Sequence, residues 1–454
     1  MISQPLCILF FCLIFYEPYI SVSSQKTFLD NPLNLQLYRT IRRGIYDIFG
    51  RTSISERNLR RAKNLYKIQE PIPQNVPFPC DVKGEEKNAV TLFLIISPDY
   101  KKPVRWRSNE TPTSVHRLKP GDVDIIASMG DSLSAGTGIF AASIFHLFID
   151  NRGVAAAGGG QNTWREYMTL PNILKEFNPN LYGYSLGDYS TLEKDSKLNV
   201  AEAGAVSSDM PYMATILIKR LKNDPKVNMQ KHWKHISLMI GANDFCLFFC
   251  TSSSLTEILQ NHERDIVETL RILRDNVPRV FVSLIPPPQL KILVKSHIEG
   301  KSSAWCDLMT DFECPCLFGL RYRDKRQEYY DIIKRWQDID IKISNYSEFQ
   351  KDDFVVIAQP ILTNLDGSLN YFDETYLTID CFHISQKTNS LCKYKHFQYN
   401  VSLKHANTLW NSLLLPYEEK PTNIVTKLNT ILCPTKKRPY LATYTNTKFS
   451  ENSE

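Results

Sequence analysis

From residue 123 onward, short apolar segments alternate with long amphipathic ones. The apolar segments are rich in Val, Ile and Leu and predict strands at 123–129, 236–240, 280–285 and 354–357. The amphipathic segments predict helices at 210–221, 255–274, 321–344 and 403–415. Strands that alternate with long helices are typical of a parallel sheet with helices on both faces. We therefore expect an α/β fold with a doubly wound, flavodoxin-like, mostly parallel sheet.

The first two dozen residues differ from the rest of the chain. Residues 6–15 are almost wholly apolar and small residues follow, which predicts a signal peptide over 1–24, although no basic side chain precedes the apolar core. An uncleaved anchor is the alternative, but the apolar core is short for a membrane span. We expect a helical extension with a Pro-rich connector over 25–79, a catalytic domain over 80–440 and a polar tail over 441–454. No later segment is apolar enough to be an anchor, so a secreted protein is predicted.

Nine cysteines follow the predicted signal peptide, and their irregular spacing lacks the paired Cys-x-x-Cys pattern of zinc sites. In an exported chain such cysteines favour disulfides, and an odd number leaves at least one thiol outside an internal pair. Spacing does not fix connectivity. The plausible pairs are a Cys246–Cys250 bond, one bond within Cys306, Cys314 and Cys316, and a Cys80–Cys433 bond between the two ends of the domain. Asn-x-Ser/Thr sequons offer glycosylation sites at Asn109, Asn345 and Asn400.

The charge pattern bears on partners. A formal net charge of +6 is spread along 454 residues. It does not indicate nucleic-acid binding, but it mildly favours anionic surfaces such as lipid headgroups. We expect transient contact with a lipid surface, and the sequence leaves the oligomeric state open.

A potential nucleophile follows the first predicted strand. Gly130-Asp131-Ser132-Leu133 lies directly after the apolar segment 123–129. An open α/β sheet presents reactive groups at the C-terminal ends of its strands. The same tetrapeptide is also ordinary turn chemistry, so Ser132 gains significance only if other loops supply a base, an acid and oxyanion donors.

Three further loops supply those groups. Gly204 precedes a predicted helix, where a glycine lets a backbone N–H approach a substrate closely, and Asn243 follows the second strand as a neutral donor. Asp380 precedes His383 by three residues, in a helical or turn-like stretch where the acid can hold one imidazole nitrogen. Separately, Gly204 could be a turn glycine, Asn243 a loop cap and His383 a structural histidine. None of the other eight histidines has a comparable setting.

Taken together, these four segments resemble the blocks of the GDSL, or SGNH, hydrolases. The chain is most similar to the phospholipase B-like branch, from about residue 75 to the end. The segments that carry the likeness are 112–120 (PTSVHRLKP), 174–179 (LKEFNP), 241–246 (GANDFC), 314–316 (CPC), 380–385 (DCFHIS), 409–411 (LWN), 433–434 (CP) and 439–440 (PY). The absence of a Gly-x-Ser-x-Gly motif at Ser132 separates the chain from the α/β-hydrolase fold.

The resemblance implies an SGNH-type fold with a role for each residue. Ser132 would be the nucleophile, His383 the general base and Asp380 the acid that orients it. The backbone N–H groups of Ser132 and Gly204 and the Asn243 amide would form the oxyanion hole. Asp131 and Asp244 would organise their loops. The resemblance implies no metal and no cofactor.

Two segments depart from the family pattern. Residues 139–149 are apolar and bulky, which indicates either a lipid-facing lip or a core helix, and the core helix is the preferred interpretation. Residues 388–401, which include Cys392 and Asn400, resemble an insertion close to His383.

The resemblance predicts a secreted serine esterase that hydrolyses acyl esters of phospholipids and lysophospholipids through an acyl-enzyme on Ser132. The alternatives are an esterase or acetylesterase acting on other esters, and an inactive secreted binding protein with this fold.

Overall fold

A computed structural model of the chain describes residues 69, 71–82, 106–365 except 142 and 301, 376–386, 405–424 and 431–448, together with residues 40 and 44. The chain divides into two units, Met1–Thr52 and Ser53–Glu454, and the features below belong to the second. The predicted signal peptide, most of the helical extension and the apparent insertion with Cys392 and Asn400 lie outside the described residues. Among the helices that are described, none is long and apolar enough to cross a membrane.

The predicted parallel sheet is present. Within the described residues it has strands β1 (Val123–Gly130), β2 (Trp233–Met239), β3 (Val280–Leu284) and β4 (Phe354–Ala358), in that spatial order. Every neighbouring pair runs parallel. Isolated parallel bridges from Ile125 to Tyr182 and from Ser128 to Asn199 extend the sheet on the free side of β1. Because all four strands point the same way, their C-terminal ends and following loops share one edge.

Helices connect and cover the strands. In the described part of the chain they are α1 (Ser132–Ala135), α2 (Leu170–Phe177), α3 (Met210–Asn223), α4 (Ala242–Leu247), α5 (Leu255–Asn276), α6 (Lys291–Ile298), α7 (Ala304–Glu313), α8 (Pro315–Phe318), α9 (Arg326–Ser344), α10 (His405–Leu414) and α11 (Tyr444–Lys448). Several of these helices begin after a serine or threonine that caps the first turn. For example, the Ser254 hydroxyl accepts a hydrogen bond from the backbone N–H of Glu257 in α5.

Alternate residues of the strands enter two separate hydrophobic clusters, one on each face of the sheet. Ile125 and Ile236 pack with residues of α3 and α5. Ile126 and Phe281 face the other way, toward α2 and α10. Successive side chains of a strand point to opposite faces, so a sheet buried on both faces needs apolar residues at nearly every position. The doubly wound architecture predicted from the sequence is confirmed.

The helix predicted over 321–344 is confirmed from Arg326 to Ser344, and a 3-10 helix, Leu320–Lys325, precedes it. One local prediction was wrong. The apolar segment 139–149 does not form a core helix, since its described residues form the short 3-10 helix Ile144–Phe148, none of whose residues is fully buried. The two ends of the segment do enter the core, because Ile139 is 4% and Ile149 3% exposed, and Ile139 packs with Val154 and Tyr167.

The disulfides follow the tertiary packing rather than the sequence spacing. The expected Cys80–Cys433 bond is formed across 353 residues. The expected Cys246–Cys250 bond and the bond within Cys306, Cys314 and Cys316 were wrong. The pairs in the described residues are instead Cys246–Cys314, Cys250–Cys316 and Cys306–Cys381. The physical reason is that α8 packs against α4, which brings the Cys-Pro-Cys segment to both cysteines of the α4 region.

Candidate active site

The C-terminal end of β1 presents Ser132. Gly130 has φ +138°, and a Cβ there would lie 2.1 Å from the Met239 carbonyl oxygen of the neighbouring strand, so only glycine fits. The chain then turns into α1, whose cap is the Asp131 carboxylate, with the Leu133 N–H donating to its Oδ1 (3.0 Å). Ser132 is thereby fixed at the edge of the sheet with its side chain 7% exposed.

Ser132, His383 and Asp380 form one hydrogen-bonded chain, although Ser132 lies 251 residues before His383. The His383 Nε2 lies 2.8 Å from the Ser132 Oγ. On the other side of the ring, Nδ1 lies 2.6 Å from the Asp380 Oδ2. With the Nδ1 proton held by the carboxylate, Nε2 is free to accept the serine proton. The sequence thus identified three side chains that the fold brings together.

Asp380 is held by the turn it belongs to. Its second oxygen, Oδ1, accepts from the Thr378 hydroxyl (2.6 Å) and from the backbone N–H groups of Phe382 and His383 (3.0 Å each). Cys381, between Asp380 and Phe382, has φ +60°, a conformation that residues other than glycine rarely adopt. The Cys306–Cys381 disulfide ties this strained turn to α7. Because the carboxylate is fixed on both oxygens, the imidazole that it holds is fixed as well.

Removing the Cys306–Cys381 bond is expected to destabilise the protein and to disturb the turn that holds Asp380 and His383. The bond closes a loop of 75 residues, so its loss in a Cys306→Ser/Cys381→Ser variant should lower the free energy of unfolding by about 4 kcal/mol. Urea denaturation measures this. The matched control, Cys80→Ser/Cys433→Ser, should also lose stability but keep kcat under folding conditions, whereas the first variant should lose kcat as well. Equal kcat in both variants would contradict the positioning role.

The two loops expected to donate to an oxyanion lie side by side at the same edge. Gly204 has φ +81°, a conformation that favours glycine. The Glu202 N–H donates to the Gly130 carbonyl (3.0 Å), which anchors the Gly204 loop next to the end of β1. The Asn243 amide nitrogen donates to the Ala205 carbonyl (2.8 Å), and a primary amide retains a second N–H. The arrangement can therefore direct one backbone and one side-chain donor toward the region of Ser132.

A further carboxylate, which the sequence analysis did not single out, faces Asp380 and His383. Glu313, at the end of α7, has a carboxylate oxygen within 4.8 Å of ligand atoms of Asp380 and His383. Burial alone would lower the pKa of His383, but the charges of Asp380, Glu313 and Asp131 outweigh it and raise that pKa above the usual value. Burial raises the pKa of Glu313 to about 7. No local motif indicates Glu313, because its place depends on how α7 packs.

Neutralising Glu313 is expected to shift the pH profile of hydrolysis. His383 must be neutral to accept a proton, so activity rises as pH passes the pKa of His383. A Glu313→Gln variant removes a negative charge that stabilises the imidazolium, which lowers this pKa. The acid limb of kcat/KM should move to lower pH by about one pH unit. Glu328→Gln, the same change at an exposed position of α9, should leave the profile in place, and an unmoved limb in Glu313→Gln would rule out the electrostatic role.

Glu313, Asp380 and His383 also have the donor atoms of a metal site, and these atoms lie within 4.8 Å of one another. However, both ring nitrogens of His383 already bond to Asp380 and Ser132. A metal ion on this imidazole would have to displace one of those two bonds. The set therefore fits acid–base chemistry better than metal ligation.

Asp131 is buried beside Ser132, and Asp244 is buried beside the loops of Gly204 and Asn243. Burial raises the pKa of Asp131 to about 6 and raises that of Asp244 well above its usual range. Both oxygens of Asp244 accept from the Ser207 N–H (3.3 and 3.1 Å), three residues after Gly204. Asp244 thus ties the loop of Asn243 to the loop of Gly204, in keeping with a loop-organising role.

A second Ser–His–Asp chain lies in the interior, where the sequence had indicated no such histidine. The His262 Nδ1 lies 2.9 Å from the Ser207 Oγ, and its Nε2 lies 3.0 Å from the Asp340 Oδ1. Ser207, His262 and Asp340 are 2%, 1% and 1% exposed, so this chain lies deeper in the protein than Ser132 and His383, which are each 7% exposed. It links the Gly204 loop to α5 and α9. The expectation that His383 alone has such a setting was wrong, because Asp340 lies 78 residues from His262 and no local pattern joins them.

Comparisons with known proteins agree with this geometry. The sequence model of the family described as GDSL-like Lipase/Acylhydrolase matches residues 126–392. The chain is 34% identical over 356 residues to "Phospholipase B1, membrane-associated" of Homo sapiens, covering 76% of this chain and 23% of that protein. The Rattus norvegicus protein of the same name is 33% identical over 357 residues, with the same coverage. The chain therefore spans about a quarter of the length of these relatives.

Among solved structures, an acetyl xylan esterase variant from Geobacillus stearothermophilus aligns with 48% of this chain and 74% of its own. The TM-score is 0.23 and the sequence identity 14%, so this likeness adds nothing to the fold assignment.

Proposed function

The chain belongs to the GDSL-like lipase/acylhydrolase family, and we propose that it hydrolyses acyl ester bonds of phospholipids and lysophospholipids through an acyl-enzyme on Ser132. The observation that carries this proposal is the unbroken hydrogen-bonded chain from Asp380 through His383 to Ser132. The choice of phospholipid rests on similarity to relatives named phospholipase B1.

The first half-reaction forms the acyl-enzyme. The Ser132 Oγ attacks the ester carbonyl carbon while the His383 Nε2 takes the hydroxyl proton, and the Asp380 carboxylate stabilises the resulting imidazolium. The oxyanion of the tetrahedral intermediate accepts hydrogen bonds from the Ser132 and Gly204 N–H groups and the Asn243 amide. The bond to the leaving oxygen then breaks, and His383 donates its proton to that oxygen.

The second half-reaction releases the fatty acid. A water molecule occupies the place of the departed alcohol and attacks the acyl carbonyl, with His383 again accepting the proton. The oxyanion donors act on the second intermediate as they did on the first. Its collapse breaks the bond to the Ser132 Oγ, which recovers a proton from His383.

A panel of substrates tests the proposed specificity. Fatty-acid release from phosphatidylcholine and lysophosphatidylcholine should exceed release from a triglyceride, and a short-chain aryl ester reports the basic esterase chemistry. Hydrolysis of the aryl ester alone would favour an esterase acting on other substrates. Failure of Ser132 to react with a fluorophosphonate probe, together with no turnover, would favour an inactive binding protein.

We also propose that the chain is exported, with 1–24 as signal peptide, 25–79 as extension and 80–440 as hydrolase domain. Asn109 and Asn345 of the glycosylation sequons are exposed. The disulfides support an oxidising compartment, where such bonds persist. Recovery of a glycosidase-sensitive chain from the culture medium tests the proposal, and retention of an unglycosylated chain inside the cell would contradict it.

A further inference from the structure

Helix α7 carries large apolar side chains on its solvent side. Trp305 is 38% exposed and Leu308 is 53% exposed. They are three residues apart, so they lie on one side of the helix, whereas Cys306 and Thr310 are buried. An amphipathic helix normally turns its apolar side inward. Exposed apolar patches of this kind mark surfaces that contact a partner or a membrane.

This helix lies along the catalytic Asp–His turn. Near its N-terminus the Trp305 indole N–H donates to the Ile379 carbonyl (2.7 Å), one residue before Asp380. The next residue, Cys306, forms the disulfide with Cys381. At its C-terminus Glu313 faces Asp380 and His383. A surface that contacts the exposed side of α7 would therefore lie directly beside the catalytic turn.

The segments on either side of α7 extend the apolar surface, and the segment after α7 adds basic side chains. Ile298, at the end of α6, is 58% exposed. The neighbouring His297 contacts α7, with its Nδ1 2.8 Å from the Asp307 Oδ1. After α7, Leu320 is 73% exposed and begins a 3-10 helix with exposed Arg321, Arg323 and Lys325. Arg323 pairs with Asp324 (Nε to Oδ1, 3.6 Å), so Arg321 and Lys325 carry the positive charge of this segment. Apolar side chains bordered by basic ones match a phospholipid surface, whose headgroups attract cations and whose acyl region accepts apolar groups.

We propose that the exposed side of α7, with Trp305 and Leu308 at its centre, docks onto a phospholipid surface and brings the catalytic turn to it. The inference rests on the proposed phospholipase function, and it names the surface from which that site draws its substrate. A phospholipid held in a bilayer has to leave it partly to reach Ser132. Docking beside the catalytic turn shortens that path, and the disulfide to Cys381 makes the docking helix and the turn one unit.

A charge placed in the apolar side of α7 tests the proposal. Leu308→Asp should bind phosphatidylcholine vesicles at least about tenfold more weakly, because a leucine no longer enters the interface. Its initial rate on vesicles should fall similarly, while turnover of a monomeric short-chain ester stays unchanged. Leu308→Trp should keep or strengthen binding, since tryptophan favours membrane interfaces. Adding phosphatidylserine should strengthen binding of the unmodified chain.

Asn223→Asp is the matched control. It adds the same charge at an exposed position. The next residue, Asp224, accepts a hydrogen bond from the Tyr182 hydroxyl, and Tyr182 pairs with Ile125 near the start of β1. Asn223 therefore lies at the opposite end of the sheet from Ser132. It should bind vesicles as the unmodified chain does. Equal vesicle binding by Leu308→Asp and Asn223→Asp would overturn the docking proposal. The proposal would also be overturned if Leu308→Asp altered only the oligomeric state of the protein in the absence of lipid. That result would mean that the exposed side of α7 contacts a second copy of the chain.

The binding measurement separates this proposal from the proposed function. Leu308-dependent vesicle binding without fatty-acid release would support docking while contradicting phospholipid hydrolysis. Fatty-acid release from vesicles that Leu308→Asp leaves undiminished would support phospholipid hydrolysis while overturning docking through α7.

Discussion

Replacing Ser132 by alanine is expected to lower kcat for ester hydrolysis by about four to six orders of magnitude. The alanine cannot form an acyl-enzyme, and the residual rate would come only from oxyanion donors that still bind the transition state. Steady-state kinetics on a short-chain ester measures the loss. The variant should also fail to react with a fluorophosphonate probe, which modifies only an activated serine.

The variant should remain folded, because the Ser132 hydroxyl bonds to the His383 imidazole, and Asp380 still holds that imidazole when the hydroxyl is removed. Ser134→Ala, in the same short helix, is the matched control and should retain activity and probe labelling. A Ser132→Ala protein with unchanged turnover, or a Ser134→Ala protein with none, would assign the chemistry to a different residue.

The sheet could be predicted because its strands are nearly continuous apolar segments, and this is what burial on both faces requires. The start of β2 was missed for a physical reason. Trp233, Lys234 and His235 all belong to the strand, although two of them are polar. The Lys234 ammonium is buried and donates to the carbonyls of Met229, His232 and Pro278. A lysine satisfied by three carbonyls cannot be recognised from its neighbours in sequence.

The residues of the candidate site also fall into two groups, those that the sequence could predict and those that it could not. Ser132, Gly204, Asn243, Asp380 and His383 lie in short segments with recognisable local chemistry, and the parallel topology brings such loops to one edge. Glu313 and the chain from Ser207 through His262 to Asp340 depend on how α5, α7 and α9 pack, which local patterns do not encode. The disulfide of Cys381 was missed for the same reason, since its partner lies 75 residues away on α7.

These missed contacts share a consequence for the site. His262 and Asp340 fix Ser207, and Asp244 binds the Ser207 N–H, so the loops of Gly204 and Asn243 are joined through one buried residue. An oxyanion hole gains most when its donors are fixed before the charge develops. The hydrogen-bonded chain from Ser207 through His262 to Asp340 therefore fixes the loops of the proposed oxyanion donors. The Cys306–Cys381 bond fixes the turn of Asp380 and His383 in a similar way.

Replacing Asp380 by asparagine is expected to lower kcat by about four orders of magnitude. If the asparagine oxygen takes the place of Oδ1, it still accepts from Thr378 and the two backbone N–H groups, and its NH2 then faces the His383 Nδ1. An NH2 group can only donate, so Nδ1 becomes an acceptor and the ring proton moves to Nε2. In that tautomer His383 cannot take the Ser132 proton.

The pH profile of the same variant gives a second, independent readout. The pKa of His383 is raised by the Asp380 carboxylate against the lowering effect of burial. Without that charge the pKa of His383 falls, so the acid limb of the residual activity should move to lower pH while the plateau drops. Thr378→Val, which removes one hydrogen bond to Asp380 but no charge, should cause a much smaller loss. An Asp380→Asn protein within about tenfold of full activity would contradict the orienting role, since the wrong tautomer alone accounts for a far larger loss.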